Sequence, residues 1–299
     1  MEPNKFKKYF EVIKDHNPKV KRRNIALRDY GWDYMVFIVN NKTVFRFPRN
    51  TRGVESLDRQ IKFAKKFQRH TVLSIPQPKL EIKNSVIYAT YPLVKGEPLK
   101  PVLLKRCTIG NQQKIAKQLG VFLAELHNFP VLSAQRIGVQ HRQAGLASYD
   151  STIHFEKYLK RYVRNNEWKW AVNRLKEIRT VIRKSQFQLV VAHNDIAPQH
   201  ILFDQKRQKL TGIIDFGDLA IGDPAVDFFR LNVYSKSFVE QVFKAYGGRL
   251  DKLFFDREKA YQDLTLLHRL AHYIKKGDKV LIKIIRNELR QRIRRGTVS

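Results

Sequence analysis

Apolar and polar positions follow two periods along this chain, and the switches between them mark out its elements. Over residues 4–16, Phe6, Tyr9, Phe10 and Ile13 fall on one helical face. Short apolar runs at Ile25–Leu27, Met35–Val39 and Thr43–Phe47 read as strands, with Asn40 and Asn41 supplying a tight turn between the last two. Residues 54–67 return to the helical period. Val86–Val94 is strand-like again, and Lys95-Gly96-Glu97-Pro98 closes it with a turn. Beyond that the pattern is mostly helical. Residues 112–127 place Ile115, Leu119, Phe122, Leu123 and Leu126 on one face. Residues 149–185, 236–246 and 256–275 follow, and a last segment sets Leu281, Ile285, Leu289 and Ile293 four apart.

One stretch breaks this helical series, from Phe187 to Phe228. Two apolar runs, His200–Asp204 and Leu210–Asp215, flank the polar residues 205–209 and predict a β-hairpin turning near Arg207. Antiparallel pairing brings His200 and Asp215 to one end of the hairpin, with Asp195 in the loop that feeds it. Three polar side chains then converge, as phosphoryl transfer requires. The spacing is also that of a known site: protein kinases carry His-Arg-Asp, four residues, Asn, and a later Asp-Phe-Gly. Here His193-Asn194-Asp195 is followed by four residues and His200, and Asp215-Phe216-Gly217 comes downstream. In those roles Asp195 accepts or orients the proton of the attacking hydroxyl, Asp215 holds Mg²⁺ across the nucleotide phosphates, and His200 replaces the second metal ligand.

The words HNDIAPQHILFD and LTGIIDFGDLAIGDPAVDF resemble the aminoglycoside phosphotransferases, especially the branch modifying the 2''-hydroxyl. The related macrolide phosphotransferases also tend to carry His where kinases carry Asn. The resemblance extends to Gly31-Trp32-Asp33 with Val36–Asn40, to Phe45-Arg46-Phe47-Pro48, and to Leu119–His127, and so spans nearly the whole chain. It implies an α+β, bilobal, protein-kinase-like fold. A small β-rich nucleotide-binding lobe would cover residues 1–91, and a larger helical lobe with the catalytic and substrate sites residues 92–299. ATP or GTP is the implied phosphate donor. Arg46 falls where a kinase lysine grips the phosphates, with Arg49 a rival. The helix position of its usual Glu partner is Gln60, with Glu55 and Asp58 nearby. Backbone groups near Tyr91 and Leu93 would meet the base. Asp227 would brace the catalytic loop, and His127 reads as a packing residue rather than a ligand. The kinase G-x-G-x-x-G loop is missing, as it is in the family.

Composition narrows the setting. The 299 residues are 43% hydrophobic, enough for a packed core, and a single cysteine, Cys107, excludes an internal disulfide and suits a reducing cytosol. No signal-like apolar core opens the chain and no apolar run nears ~20 residues, so a soluble, cytoplasmic, monomeric protein is expected. The net charge of +31 is spread along the whole length rather than gathered in a tail. It reads as a solvated basic surface, not a specific nucleic-acid site. Trp168 and Trp170 read as packing residues. The basic stripe Lys279, Lys283, Arg286, Arg290 and Arg294 reads as the outer face of a docked amphipathic helix.

Charge bears most on the acceptor. The resemblance makes aminoglycosides the leading guess, but polycations need carboxylates, and the stretch Phe228–Lys236 has none. Acids that could reach the site from elsewhere are Asp218, Glu240 and Asp263. A macrolide, or another neutral or anionic hydroxyl compound, is the alternative acceptor. A kinase-fold binding protein without turnover is the alternative to an enzyme, motivated by Gln60 and by His200 as a poor ligand for a hard metal.

Overall fold

Residues 3–28, 33–142, 159–248 and 250–296 are described by the computed structural model. Gly31 and Trp32, and the first part of the helix expected from residue 149, lie outside them. Helix α1 (Pro3–His16) precedes strands β1 (Ile25–Arg28), β2 (Tyr34–Val39) and β3 (Thr43–Pro48), helix α2 (Thr51–Phe67), and strands β4 (Lys79–Lys83) and β5 (Val86–Pro92). The five strands form one antiparallel sheet in the order β1-β2-β3-β5-β4. Asn40 and Asn41 turn the β2–β3 corner with φ of 53° and 51°, a left-handed conformation that Asn tolerates.

Period-two alternation then decides what each face of the sheet carries. Phe37, Phe45, Phe47 and Tyr88 turn toward α1 and bury against Tyr9, Val12 and Ile13. Tyr9 stacks on Phe47 with ring centroids 4.3 Å apart. On the opposite face Tyr34, Val36 and Ala89 meet Leu57 and Ile61 of α2. Arg46 lies between Phe45 and Phe47 in sequence, so alternation sends it to this second face. Its chemistry depends on that placement.

Past β5 the chain joins other layers. Strand β6 (Glu97–Pro98) leads to helices α3 (Pro101–Arg106), α4 (Ile109–His127), α5 (Val131–Arg136) and α6 (Asn165–Lys184). Strands β7 (Val190–Ala192), β8 (Ile201–Asp204), β9 (Lys209–Ile213) and β10 (Ala220–Gly222) follow, and helices α7 (Lys236–Tyr246), α8 (Phe254–Lys276) and α9 (Lys279–Gly296) complete the order. β6, β8 and β9 form one small sheet, and β7 and β10 a second. The apolar face of α4, from Ile115 to Leu126, is wholly buried in the main core. Gly120 lets α7 approach closely: a Cβ there would stand 2.5 Å from the Val242 carbonyl oxygen.

Helix α9 docks as its spacing predicts. Ile285 and Leu289 bury against Leu266, Leu267 and Leu270 of α8, and Trp168 and Trp170 pack on the same cluster. The basic stripe is not all solvated, however. Arg286 and Arg290 turn onto Glu167 of α6, each at 2.7 Å, and Glu167 is only 1% exposed. A buried acid draws two of the five cations inward. Among the described residues, no helix is long and apolar enough to cross a membrane.

Candidate active site

The hairpin β8–β9 pairs Ile201 with Ile213, and the Ile214 N–H donates to the His200 carbonyl at 2.9 Å. His200 and Asp215 therefore sit side by side at one end of it. The strands stop short of both residues. His200 closes a 3₁₀ turn, Pro198–His200, and Asp215 has φ 69°, a left-handed conformation that cannot extend a ladder. At the other end, Asp204 Oδ1 accepts the N–H groups of Lys206 and Arg207 at 2.9 and 3.0 Å and so fixes the turn.

Asp195, His200 and Asp215 each offer a ligand atom within 4.8 Å of the others. His200 Nδ1 lies 2.7 Å from the Asp195 carbonyl oxygen. That oxygen only accepts, so Nδ1 donates and Nε2 keeps the lone pair of the neutral ring. Nε2 is 3.5 Å from Asp215 Oδ2. A carboxylate oxygen and an imidazole nitrogen thus face one point, an acceptable donor pair for a divalent cation that keeps other ligands from phosphate and water. Burial works to raise the Asp215 carboxyl, but the Arg46 guanidinium, helped by the Gly217 N–H, outweighs it and holds the group below the ordinary carboxylate range. Asp215 is ionised, as a metal ligand must be.

Below the loop, Asp227 is fully buried and accepts three hydrogen bonds. The backbone N–H groups of His193 and Asn194 donate at 2.8 and 2.7 Å, and His127 Nε2 lies at 3.0 Å. His127 reaches the Tyr246 hydroxyl through Nδ1, at 2.8 Å. Asn194 has φ 63° and ties its side-chain amide to the carbonyls of Ala192 and Asp218, at 3.2 and 3.1 Å. His193 is buried, and burial pushes its imidazole below the ordinary value. Its Nε2 donates to the Ile214 carbonyl and its Nδ1 accepts from the Asp195 N–H, as only the neutral ring can do.

From the sheet above, Arg46 reaches this cluster. It is 8% exposed, lies with its guanidinium 3.6 Å over the Tyr34 ring, and sets Nη2 3.5 Å from Asp215 Oδ1. Arg46 Nη1 donates to Gln60 Oε1 at 2.7 Å. Gln60 is held in turn by Ser56 and the Tyr34 hydroxyl. Arg49 instead donates to the Tyr34 carbonyl at 3.0 Å, away from the cluster. Burial raises the Tyr91 phenol above its ordinary value, with Arg46 and Asp215 the nearest charges it feels. The Leu93 N–H is already committed, donating to the Lys42 carbonyl at 2.7 Å.

A cavity of about 450 Å³ opens beside Asp195. Its walls come from Ala197-Pro198-Gln199, from Phe229–Val233, and from α8 and α9. Arg230 lines it and places Nη2 3.2 Å from Asp195 Oδ1. The sequence pattern missed this residue, because the segment stood out only for lacking acids. Its one signal was a cation three residues beyond Asp227. A second missed feature is the buried Arg257, which grips Asp223 through Nε and Nη2 at 2.5 and 3.1 Å and so fastens α8 under the site.

Known proteins place these features in one group. A family model described as the phosphotransferase enzyme family matches residues 27–261. Among solved structures, the GDP and kanamycin complex of APH(2")-IIIa has a TM-score of 0.84 at 23% identity, covering 95% of this chain and 97% of that one. The macrolide 2'-phosphotransferase MphH from Brachybacterium faecium gives 0.68 at 17%, covering 92% and 95%. ADP-bound APH(2'')-Ib gives 0.69 at 19%, covering 95% of each. Identities this low establish the fold, which is bilobal and kinase-like, with a small sheet lobe on a larger helical one. The family model spans most of the chain, with the Asp195 loop, the hairpin and the Asp227 brace inside the match, and on that ground the chain belongs to the phosphotransferase enzyme family.

Proposed function

We propose that this protein transfers the γ-phosphoryl group of ATP or GTP to a hydroxyl of a small molecule, with Mg²⁺. The observation that carries the reading is the convergence of Asp195, His200 and Asp215 on one point, with Arg46 across from them. Asp215 Oδ2 and His200 Nε2 are the atoms that would hold the cation. Held there, a divalent cation would supply charge neutralisation for the transferring phosphoryl group. Arg46, kept in place by Gln60, adds a fixed positive charge toward the same phosphates. Gln60 does this without an acid, so its presence does not argue for lost turnover.

The acceptor hydroxyl stands at Asp195, which takes its proton as the new O–P bond forms. The bond from the γ-phosphorus to the bridging oxygen breaks, and its electron pair leaves with the nucleoside diphosphate. Asp227 keeps the loop rigid enough for these distances to hold. For the base, Tyr91 lies near the end of β5 and Leu93 just beyond it; since the Leu93 N–H donates to the Lys42 carbonyl, the neighbouring Pro92 carbonyl and Val94 N–H are our candidates.

Similar structures make aminoglycosides the first acceptor to consider, since one carries kanamycin. Among the described residues, the acids considered for ammonium groups each have a basic neighbour, closely only for Asp263, while Asp218 and Glu240 stay about half exposed or more. Asp263 is bound by Arg174 and Arg292, Asp218 by Arg142, and Glu240 by Lys236. Weak aminoglycoside turnover is the expected result.

Steady-state assays of nucleotide-coupled transfer test the reading. Asp215→Ala is expected to remove Mg²⁺-dependent turnover, and survival of turnover would end the metal-ligand assignment. Asp195→Asn is expected to cut transfer by about 10²- to 10⁴-fold while nucleotide still binds.

A further inference from the structure

We infer that the acceptor is anionic, carrying a carboxylate or a phosphate ester near the hydroxyl that is phosphorylated, and that Arg230 selects it. This rests on the phosphotransferase reading of the same site. Arg230 belongs to the short 3₁₀ helix Phe229–Val233. Its Nη2 touches Asp195, while its Nε is buried and, among the described residues, has no hydrogen-bond partner. On a guanidinium, Nε–H and one Nη–H form a fork that matches both oxygens of an oxyanion. Arg257 uses that fork fully on Asp223. Arg230 uses half of it, because the other oxygen of Asp195 faces His200 Nδ1 at 3.3 Å.

A ligand oxyanion in the cavity completes the fork once the Arg230 side chain, 34% exposed, turns its buried Nε–H toward it. It also releases Asp195 Oδ1, which is then free to accept the proton of the ligand's hydroxyl. Recognition and readying of the base become one event. The rest of the cavity favours the same sign. Arg230, Arg269 and Arg292 line it against two acids, Asp263 and Glu288. Each acid already has a partner, with Asp263 held by Arg174 and Arg292 at 2.7 and 2.5 Å and Glu288 by Arg269 at 3.1 Å. Among the described lining residues an entering ammonium finds no unpaired carboxylate, whereas an entering anion finds a half-used guanidinium. The net charge of +31 draws anions toward the whole molecule.

Two acceptor series that differ only in charge test this. One is glycerol, 2-aminopropane-1,3-diol, glycerate and glycerol 3-phosphate. The other is glucose, glucosamine, glucuronate and glucose 6-phosphate. Binding to the nucleotide-loaded protein and phosphoryl transfer are both measured. In at least one series an anionic member is expected to exceed its neutral parent tenfold or more, with the amine below both. The carboxylate and phosphate arms tell which anion is preferred. Arg230→Gln is expected to shrink the preference to threefold or less, and Arg230→Lys to keep part of it, as a point charge without a fork. Preference for the amines, equal or undetectable binding throughout each series, or an anion preference that survives Arg230→Gln would each overturn the inference. Mg²⁺-dependent nucleotide binding by the wild type is measured separately. Its absence would defeat the phosphotransferase reading itself, and its presence without anion preference would defeat only this one.

Discussion

Asp227 shows how one buried carboxylate can govern a catalytic loop it never leaves. Its two oxygens take the N–H groups of His193 and Asn194, the two residues that lead into Asp195, and His127 holds it from the other side. Asn194 in the left-handed region turns the chain so that both N–H groups point inward. Removing the acceptor strands buried donors, which costs about 1–3 kcal/mol for each group left unpaired. Asp227→Ala is therefore expected to lower stability by about 3 kcal/mol or more in chemical denaturation. Asp227→Asn keeps the shape but turns an NH₂ toward one donor, and transfer should fall while nucleotide affinity changes little. Equal losses in both would mean that Asp227 supports the fold generally rather than the loop. The sequence pointed to Asp195, His200 and Asp215 because fixed spacing around one hairpin brings them together, whereas Arg46 and Gln60 were placed by resemblance. Arg230 and the Tyr246–His127–Asp227 chain were not legible in the same way. That hydrogen-bonded chain joins segments a hundred or more residues apart, and Arg230 meets Asp195 across the intervening strands β8, β9 and β10, so no local period records either.

Among the elements, strands β1, β2, β3 and β5 and the helices α7, α8 and α9 follow their apolar periods to within a few residues, whereas the largely exposed, polar β4 gave no such signal. The ends of the hairpin did not, because Asp215 gives up strand geometry to face His200. What decides the seating of α9 is a polar contact that periodicity cannot show. Burial works to raise the Glu167 carboxyl, but the Arg164 N–H, Arg290 and Arg286 together bring it below its ordinary value. A carboxyl whose folded value is depressed adds stability above its unfolded value, about 4.3. It loses that stability as pH falls through the folded value. Glu167→Gln should thus cost about 2 kcal/mol at pH 7, less than a fully buried pair because both arginines are partly exposed. The gap between wild type and variant should begin to narrow as pH falls below the unfolded value of about 4.3 and close only below the depressed folded value. Urea titrations followed from pH 7 down to about pH 2 measure it. A gap that stays the same over that whole range would show that shape, not charge, seats the helix.

At the scale of the whole molecule, 58 basic residues against 27 acidic ones set up a field that acts before any contact forms. Its sign is wrong for a polycationic acceptor and right for a nucleotide and for an anionic acceptor. Electrostatic steering of this kind raises association rates by about 10- to 10³-fold at low salt. It fades as the screening length shortens from about 30 Å at 0.01 M to about 10 Å at 0.1 M. Interactions at contact distance in the site, between Arg46, Asp215 and Asp195, are screened less. The two parts of the rate should therefore separate. kcat/KM for the magnesium nucleotide is expected to fall at least fivefold between about 10 and 300 mM KCl, with kcat nearly constant. An anionic acceptor should show the same slope in its own kcat/KM, a neutral one a flat line, and an aminoglycoside a rise. If every acceptor gave a flat line while the nucleotide did not, the basic surface would serve the donor alone, and selection of the acceptor would rest on Arg230 and the cavity around it.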